Sequence, residues 1–470
     1  MNRKSFLHSI GIISGSAFIS IRTNAFEQLK RSGTLTGKVS SEGKGIANAV
    51  ISDGFSVVKT DANGKYSITT NDKAEFVFLS TPAGYDFKVE GNIARQYENL
   101  GARNEYNFTL KKLNKNDDYH RFIIWADPQV KNKKDVAEMM ETSVPDVQQL
   151  IREMGSKTLV HGICVGDIVW DNLPLNEDYN AAVAKMGIPF FQALGNHDMD
   201  YRMGGDETSD KTFKQYFGPT YYSFNRGKAH YIVLDDVRYL GKEREYDGYI
   251  SAAQLAWMEK DLALIPKDNL IIINLHIPVH NAVKNNADFY KILEAFTNVH
   301  VMSGHTHYNK NVIQNGVFEH NHGTVCGAWW TGAICGDGTP RGYGVYEVKG
   351  TALKWYYKAT GLDRKHQVSL DIETLTNQKR IIANVWNYDP EWKLECFLDG
   401  KPVMMEKQMG LDPEAVRLYL GDKLPATRAF AEPSKTDHLF MVHCEPSVKN
   451  VKVVVTDRFG EQFIAEKSEK

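Results

Sequence analysis

The sequence predicts an α/β core flanked by a small β-sandwich at each end, and three observations carry that reading. Between residues 119 and 359, short apolar runs alternate with stretches of helical apolar spacing, the signature of sheet and helix in layers. On both sides, over 33–112 and 366–470, short strands alternate with Gly, Asn and Asp turns and no helical period appears. The length, 470 residues, suits two or three domains, and 42% hydrophobic with 24% charged residues is the composition of a chain with real cores. With 56 Lys plus Arg against 58 Asp plus Glu, the formal charge is −2, and no basic run stands out. A nucleic-acid partner held by a basic face is therefore not expected.

Residues 1–25 read as a cleavable export signal. Arg3 and Lys4 precede an apolar or small-residue stretch from Phe6 to Ile21, and Ala25 offers a small residue for cleavage. His8 and several Ser and Gly residues interrupt that stretch, which argues against a stable transmembrane span. Cleavage removes Arg3, Lys4 and Arg22 and takes the formal charge from −2 to −5. The expected location is the periplasm or cell envelope. Five cysteines cannot all pair; Cys326 with Cys335 and Cys396 with Cys444 are candidate bridges, and buried free thiols are the alternative.

In the N-terminal module, Thr34–Val39, Ala49–Ile51, Lys65–Thr69 and Glu75–Leu79 are strand patterns, and Asp61-Ala-Asn-Gly64 is a turn. No nucleophile or metal-ligand pattern occurs there. After a polar linker at 112–118, strands are expected at Phe122–Trp125, Thr158–Val165, Pro189–Leu194 and Leu270–Leu275. Helices are expected over Lys134–Met154, Asp178–Met186 and Gln254–Ile265. The C-terminal module adds Arg380–Trp386, Trp392–Leu398, His438–His443 and Val451–Val455 as strands.

The chemistry gathers at strand ends in the core. Asp127-Pro-Gln129 follows the first strand, Gly166-Asp167 with Asp171 the second, and Gly195-Asn196-His197-Asp198 the third. His276 follows the next, and Gly304-His305-Thr-His307 the last. Loops at the carboxyl ends of strands in such a sheet converge on one crevice. Carboxylate, amide and imidazole are the donors that bind Mn²⁺, Zn²⁺ or Fe²⁺ in preference to Ca²⁺.

These five motifs, in this order, resemble the calcineurin-like metallophosphoesterases over about residues 120–350. The flanking modules extend the resemblance to exported bacteroidete members with a carboxypeptidase-regulatory-like N-terminal domain and a dedicated C-terminal β domain, the latter marked by Asn384-Val-Trp-Asn-Tyr-Asp-Pro-Glu-Trp392. The resemblance implies a four-layer metallophosphoesterase β-sandwich flanked by helices. It implies two divalent ions, one on Asp127, Gln129, Asp167 and His307, the other on Asp167, Asn196, His276 and His305. A hydroxide bridging them would attack a phosphomonoester or phosphodiester. It makes His197 the residue that contacts the phosphoryl group or protonates the leaving oxygen, with Asp198 either orienting its ring or serving as a turn carboxylate. Gln129 stands where many relatives have His, which leaves the metal identity open.

Trp329 and Trp330, with His320, His322 and Asp337 nearby, are candidates for a substrate wall that stacks on a sugar or base, the alternative being core aromatics at a domain interface. The C-terminal module is expected to lean over the crevice, with Asp437 and His438 the first residues at its mouth. The expected substrate is a phosphorylated small molecule, a lipid headgroup or a glycan. A catalytically silent cell-envelope binding protein on the same fold is the competing reading.

Overall fold

The computed structural model describes residues 33–422 and 431–468. The candidate export signal at 1–25 lies outside the described residues. Among them, no helix is long and apolar enough to cross a membrane.

Two sheets form the core. In the first, strands Tyr119–Trp125, Leu159–Val165 and Phe190–Ala193 run parallel, and the antiparallel pair Gly342–Lys349 and Ala352–Ala359 extends one edge. In the second, Ala229–Val233, Leu270–Asn274, Val299–Ser303 and Val317–Asn321 are parallel, with Tyr222–Arg226 and Lys310–Gln314 antiparallel at the edges. The sheets pack face to face through aromatic rings. Phe191 stacks on Phe224 at 3.8 Å between centroids, Phe122 meets Tyr231 edge-on at 5.4 Å, and His120 Nε2 lies 2.6 Å from the Tyr231 hydroxyl. Parallel strands require crossovers, and helices Ser143–Met154, Asn176–Met186, Ala252–Leu262 and Asn286–Leu293 supply them.

The helix expected over Lys134–Met154 is two helices, Lys133–Glu141 and Ser143–Met154. Thr142 folds its hydroxyl back onto the Glu138 carbonyl at 2.6 Å and leaves helical backbone angles. Pro145 follows in the first turn of the second helix, where its missing N–H costs nothing.

The N-terminal module is a β-sandwich closed over Leu35, Val39, Ile51, Tyr66, Ile68, Val77, Leu79 and Tyr106. Its hairpin Val89–Glu90 and Ile93–Ala94 leaves that sandwich and joins the first core sheet, Ile93 pairing with Phe190. The module is thus an extension of the core. The C-terminal module pairs two four-stranded sheets around Ile381, Ala383, Cys396, Val451, Val453 and Phe463. It also holds a helix, Pro413–Leu420, that strand patterning alone does not anticipate. Asp412 caps it by accepting from Glu414 N and Ala415 N, and Pro413 occupies its first turn. All five cysteines are free thiols.

Candidate metal centre

Five loops leave the carboxyl ends of the parallel strands and meet. Their backbones are forced into place: Asp127, Gln129, Asp167, Asp171, His305 and His307 all hold positive φ, between 40° and 69°. Non-glycine residues seldom adopt this region, and such strain gathers where surrounding structure demands a particular side-chain aim. Two glycines make the approach feasible. A Cβ on Gly195 would stand 2.3 Å from Asp167 Oδ1, and one on Gly304 would stand 2.6 Å from Asp127 Oδ2.

The side chains so gathered are nearly all acceptors. His276 is fully buried, and its Nδ1–H donates to the Val165 carbonyl at 2.8 Å, which aims Nε2 into the crevice. There Nε2 lies 3.0 Å from Asn196 Oδ1, 3.2 Å from His305 Nδ1 and 3.3 Å from Asp167 Oδ1. On the other side, His307 Nε2 lies 3.4 Å from Asp127 Oδ1, and Gln129 Nε2–H donates to Asp167 Oδ2 at 2.6 Å. Two ligand triads result, Asp167 with His276 and His305, and Asp127 with Asp167 and His307, each with ligand atoms within 4.8 Å of one another. Asp167 belongs to both.

This arrangement fits a pair of cations. Gln129 Oε1 and His307 Nδ1 are buried without a hydrogen-bond partner, and lone pairs of carboxylate, amide and imidazole face one another out of water. The charge balance agrees. Burial works against charge on His276, yet the Asp167 carboxylate, a hydrogen bond to it and the more distant Asp127 outweigh burial and push its pKa up to about 10. Burial likewise opposes ionisation of Asp167, but His276 and His197 hold it far below the usual carboxylate range. Burial, then the charge on His276, lowers His305 to about 4. The carboxylates of the crevice thus stabilise positive charge at His276.

His197 lies beside these triads, and its contacts decide between the two roles left open for Asp198. Its Nδ1 is 2.8 Å from Asp171 Oδ1, and Trp170 stacks on the ring at 4.3 Å. Asp198 does not touch the ring: its carboxylate accepts from Val169 N at 3.1 Å and Gly195 N at 2.9 Å and pins the turn. Asp198 is therefore the turn carboxylate and Asp171 the ring's partner. Burial, then the Asp167 carboxylate, raise the pKa of Asp198 to about 7. Arg244 Nη2 sits 2.5 Å from Asp171 Oδ2 and 3.0 Å from His197 Nδ1. Burial opposes a charged His197 ring, but Asp167 and the hydrogen bond to Asp171 raise its pKa above the ordinary value.

The expected substrate wall needs larger correction. A cavity of about 210 Å³ opens over the crevice, lined by Gln129, Asp167, Asn196, His197, His305 and His307 on the ligand side. Trp329 lines it, its ring 4.8 Å from that of His307. Trp330 does not; it is buried and its Nε1–H donates to the Pro128 carbonyl at 2.8 Å, bracing the Asp127–Gln129 turn from behind. His320 is buried, stacked with Phe318 and His300 and edge-on to Trp355, and His322 is buried between the Ser303 carbonyl and the Tyr346 hydroxyl. Burial lowers the pKa of both rings, His322 to about 4 and His320 well below its ordinary value. Asp337 is buried too and accepts from Asn309 N, Thr339 N and the Thr339 hydroxyl, with His438 Nε2 at 3.2 Å. His438 is thus consumed by this contact, and the C-terminal module reaches the cavity through Glu432 and Ser434 instead. Trp170 and Tyr246 also line it, with Thr306, Gly327, Ala328 and Gly336. Trp170 and Asp171 close the Gly-Asp-Ile-Val-Trp-Asp stretch, where the sequence signal existed; Glu432 and Ser434 carry none.

A strained crevice with two ligand triads sharing one carboxylate is the layout of a dinuclear metal centre on an α/β sandwich. The chain belongs to the calcineurin-like phosphoesterases. The family's catalytic model matches residues 106–309, its N-terminal model 33–113 and its C-terminal model 319–463. No functionally curated protein matches the sequence. Solved structures similar to it include a dimetal phosphatase from Danio rerio, 14% identical, with a TM-score of 0.37, 57% of this chain and 95% of that one covered. A purple acid phosphatase from yellow lupin is 12% identical with a TM-score of 0.37, over 76% of this chain and 68% of that one. GAP50 from the inner membrane complex of Plasmodium is 15% identical with a TM-score of 0.35, over 51% and 84%.

Proposed function

We propose that the protein is an exported hydrolase of phosphoric esters that depends on two divalent cations, Mn²⁺, Zn²⁺ or Fe²⁺. The observation that carries this reading is the shared Asp167 between two acceptor triads, with His197 alongside. Asp127, Gln129, Asp167 and His307 would hold one ion, and Asp167, Asn196, His276 and His305 the other. Ions so held supply Lewis-acid polarisation of a phosphoryl group and acidify water.

The chain's own groups do the rest. Asp171 takes Nδ1 of His197 and Trp170 fixes the plane of its ring, so Nε2 is the atom left to carry a proton to the leaving oxygen. The Asp167 carboxylate accepts from His197 N at 2.8 Å, tying the proton donor to the ligand set. Substrates of three kinds suit this reading: phosphorylated small molecules, lipid headgroups and glycans. The positive start and apolar stretch of residues 1–25 support export.

The test uses mature protein stripped with chelator and reloaded with Mn²⁺ or Zn²⁺, assayed on p-nitrophenyl phosphate and bis-p-nitrophenyl phosphate. Turnover is expected to return with metal and to fall at least 10³-fold in Asp167→Asn, which loses a charge common to both sites. Two metals bound per chain without turnover of any ester, or no metal bound, would overturn the hydrolase in favour of a binding protein.

A further inference from the structure

The cavity over the metal centre has a wall that the ligand residues do not make. Its side chains include Trp170, Tyr246, Trp329, Glu432 and Ser434, and the last two come from the C-terminal module. That contribution is anchored. Ala431 is buried with Ile334, Ala415 and Tyr419, Ser434 N donates to the Gly336 carbonyl at 2.8 Å, and the Tyr419 hydroxyl donates to the Ile334 carbonyl at 2.6 Å. A Cβ on Gly336 would come within 2.6 Å of Ser434 Oγ, so the segment is pressed against the loop that carries Trp329.

The chemistry of this wall is specific. The Trp170 and Trp329 rings lie 6.0 Å apart with planes at 80°, a corner rather than two parallel faces. Such a corner suits the C–H faces of a puckered ring better than a flat base sandwiched between plates. Beside it stand a carboxylate and a hydroxyl, which accept and donate hydrogen bonds to alcohols. The Glu432 charge opposes a second phosphate on the leaving group. A ring rich in hydroxyls meets the aromatic corner, the carboxylate and the hydroxyl together.

We propose that the C-terminal module completes a leaving-group subsite, Trp170, Trp329, Glu432 and Ser434, that selects sugar phosphates. The proposal rests on the phosphoesterase reading above and is tested so that the two fail separately. Metal-loaded wild type, Glu432→Ala, Glu432→Gln and Ser434→Ala are assayed on glucose 1-phosphate, glucose 6-phosphate, phosphocholine, adenosine monophosphate and p-nitrophenyl phosphate. Binding of both glucose phosphates is followed in parallel by tryptophan fluorescence.

A glucose phosphate is expected to be the best natural ester. Its kcat/KM relative to p-nitrophenyl phosphate is expected to fall at least tenfold in Glu432→Ala, with partial recovery in Glu432→Gln. Equal loss on both esters, or preference for phosphocholine or the nucleotide, overturns the sugar subsite while leaving the hydrolase intact. Sugar-phosphate binding that weakens in Glu432→Ala, without turnover of any ester, keeps the subsite and overturns the hydrolase. Absence of both turnover and binding overturns both.

Discussion

The two flanking modules are built alike and attached in opposite ways. Each is a small β-sandwich with its own apolar core, one around Tyr66 and Ile68, the other around Ile381 and Val453. The N-terminal module grips the body of the core: Ile93 pairs with Phe190, Trp257 Nε1–H donates to the Ser52 hydroxyl at 3.0 Å, and the Tyr221 hydroxyl donates to the Gly54 carbonyl at 2.9 Å. None of its residues lines the cavity. The C-terminal module grips a loop of the crevice, through Asp337, Gly336 and Ile334, and places Glu432 and Ser434 in the cavity. A module's role follows from which element it holds. One braces a sheet; the other, which also packs Phe459 on Trp355 and Arg458 over Phe318 of the core strands, shapes a site.

Breaking the C-terminal attachment is expected to have the largest effect. Asp337→Ala removes a buried carboxylate that satisfies Asn309 N, Thr339 N and the Thr339 hydroxyl and meets His438. Leaving those groups unpaired costs about 3–5 kcal/mol. Because the same loop bears Trp329, kcat/KM on the best substrate is expected to drop more than tenfold in protein that is still folded at the assay temperature. Denaturant unfolding and steady-state kinetics check both. Stability lost with full activity would show that the crevice loop does not need its clamp.

At the other end the two readouts should separate. Ile93→Ala empties a buried position on the sheet-extending hairpin and costs roughly 2–5 kcal/mol. Activity of the remaining folded protein is expected to stay within twofold, since the hairpin touches no ligand loop. A tenfold loss of kcat/KM without unfolding would contradict the division between bracing and shaping.

Much of this contrast was hidden from the sequence for physical reasons. The strand-end motifs were legible because each ligand follows an apolar run within a few residues, and their convergence follows from parallel sheet topology. Whether Asp198 orients the His197 ring or pins a turn stayed open, and Asp171 was not singled out as the ring's partner, because its aim depends on a positive φ that composition does not record. Trp329 and Trp330 are adjacent yet one lines the cavity and the other braces the turn behind it, each at positive φ. Glu432 and Ser434 are brought to the site by contacts about a hundred residues away in sequence, which no local pattern encodes. The two-residue strands of the hairpin were too short to show a period. The Pro413–Leu420 helix had its Asp-Pro start in plain view, overshadowed by the β texture around it.

The smallest expected effect concerns acid, and it separates the attachments by where histidine is buried. His161 lies among Phe87 of the N-terminal module and Phe122, Phe191, Phe224 and Tyr231 of the core. Burial, then the neighbouring His120, keep its pKa far below the ordinary value, and burial lowers His120 to about 3. Unfolded histidine titrates near 6.5. Below that pH the unfolded chain binds protons that the folded ring refuses, so stability declines as pH falls from 6.5 toward 3 and is fully present above 6.5. At pH 5 each such ring accounts for about 2 kcal/mol of that decline. His161→Phe places another ring in an aromatic nest and removes one titrating group. The difference in unfolding free energy between pH 7 and pH 5 should therefore shrink by about 2 kcal/mol in the variant. An unchanged difference would locate the acid sensitivity elsewhere, with His300 and His320 next in line, since burial, then Arg458, lower His300, and burial, then the rings of His300 and His322, lower His320.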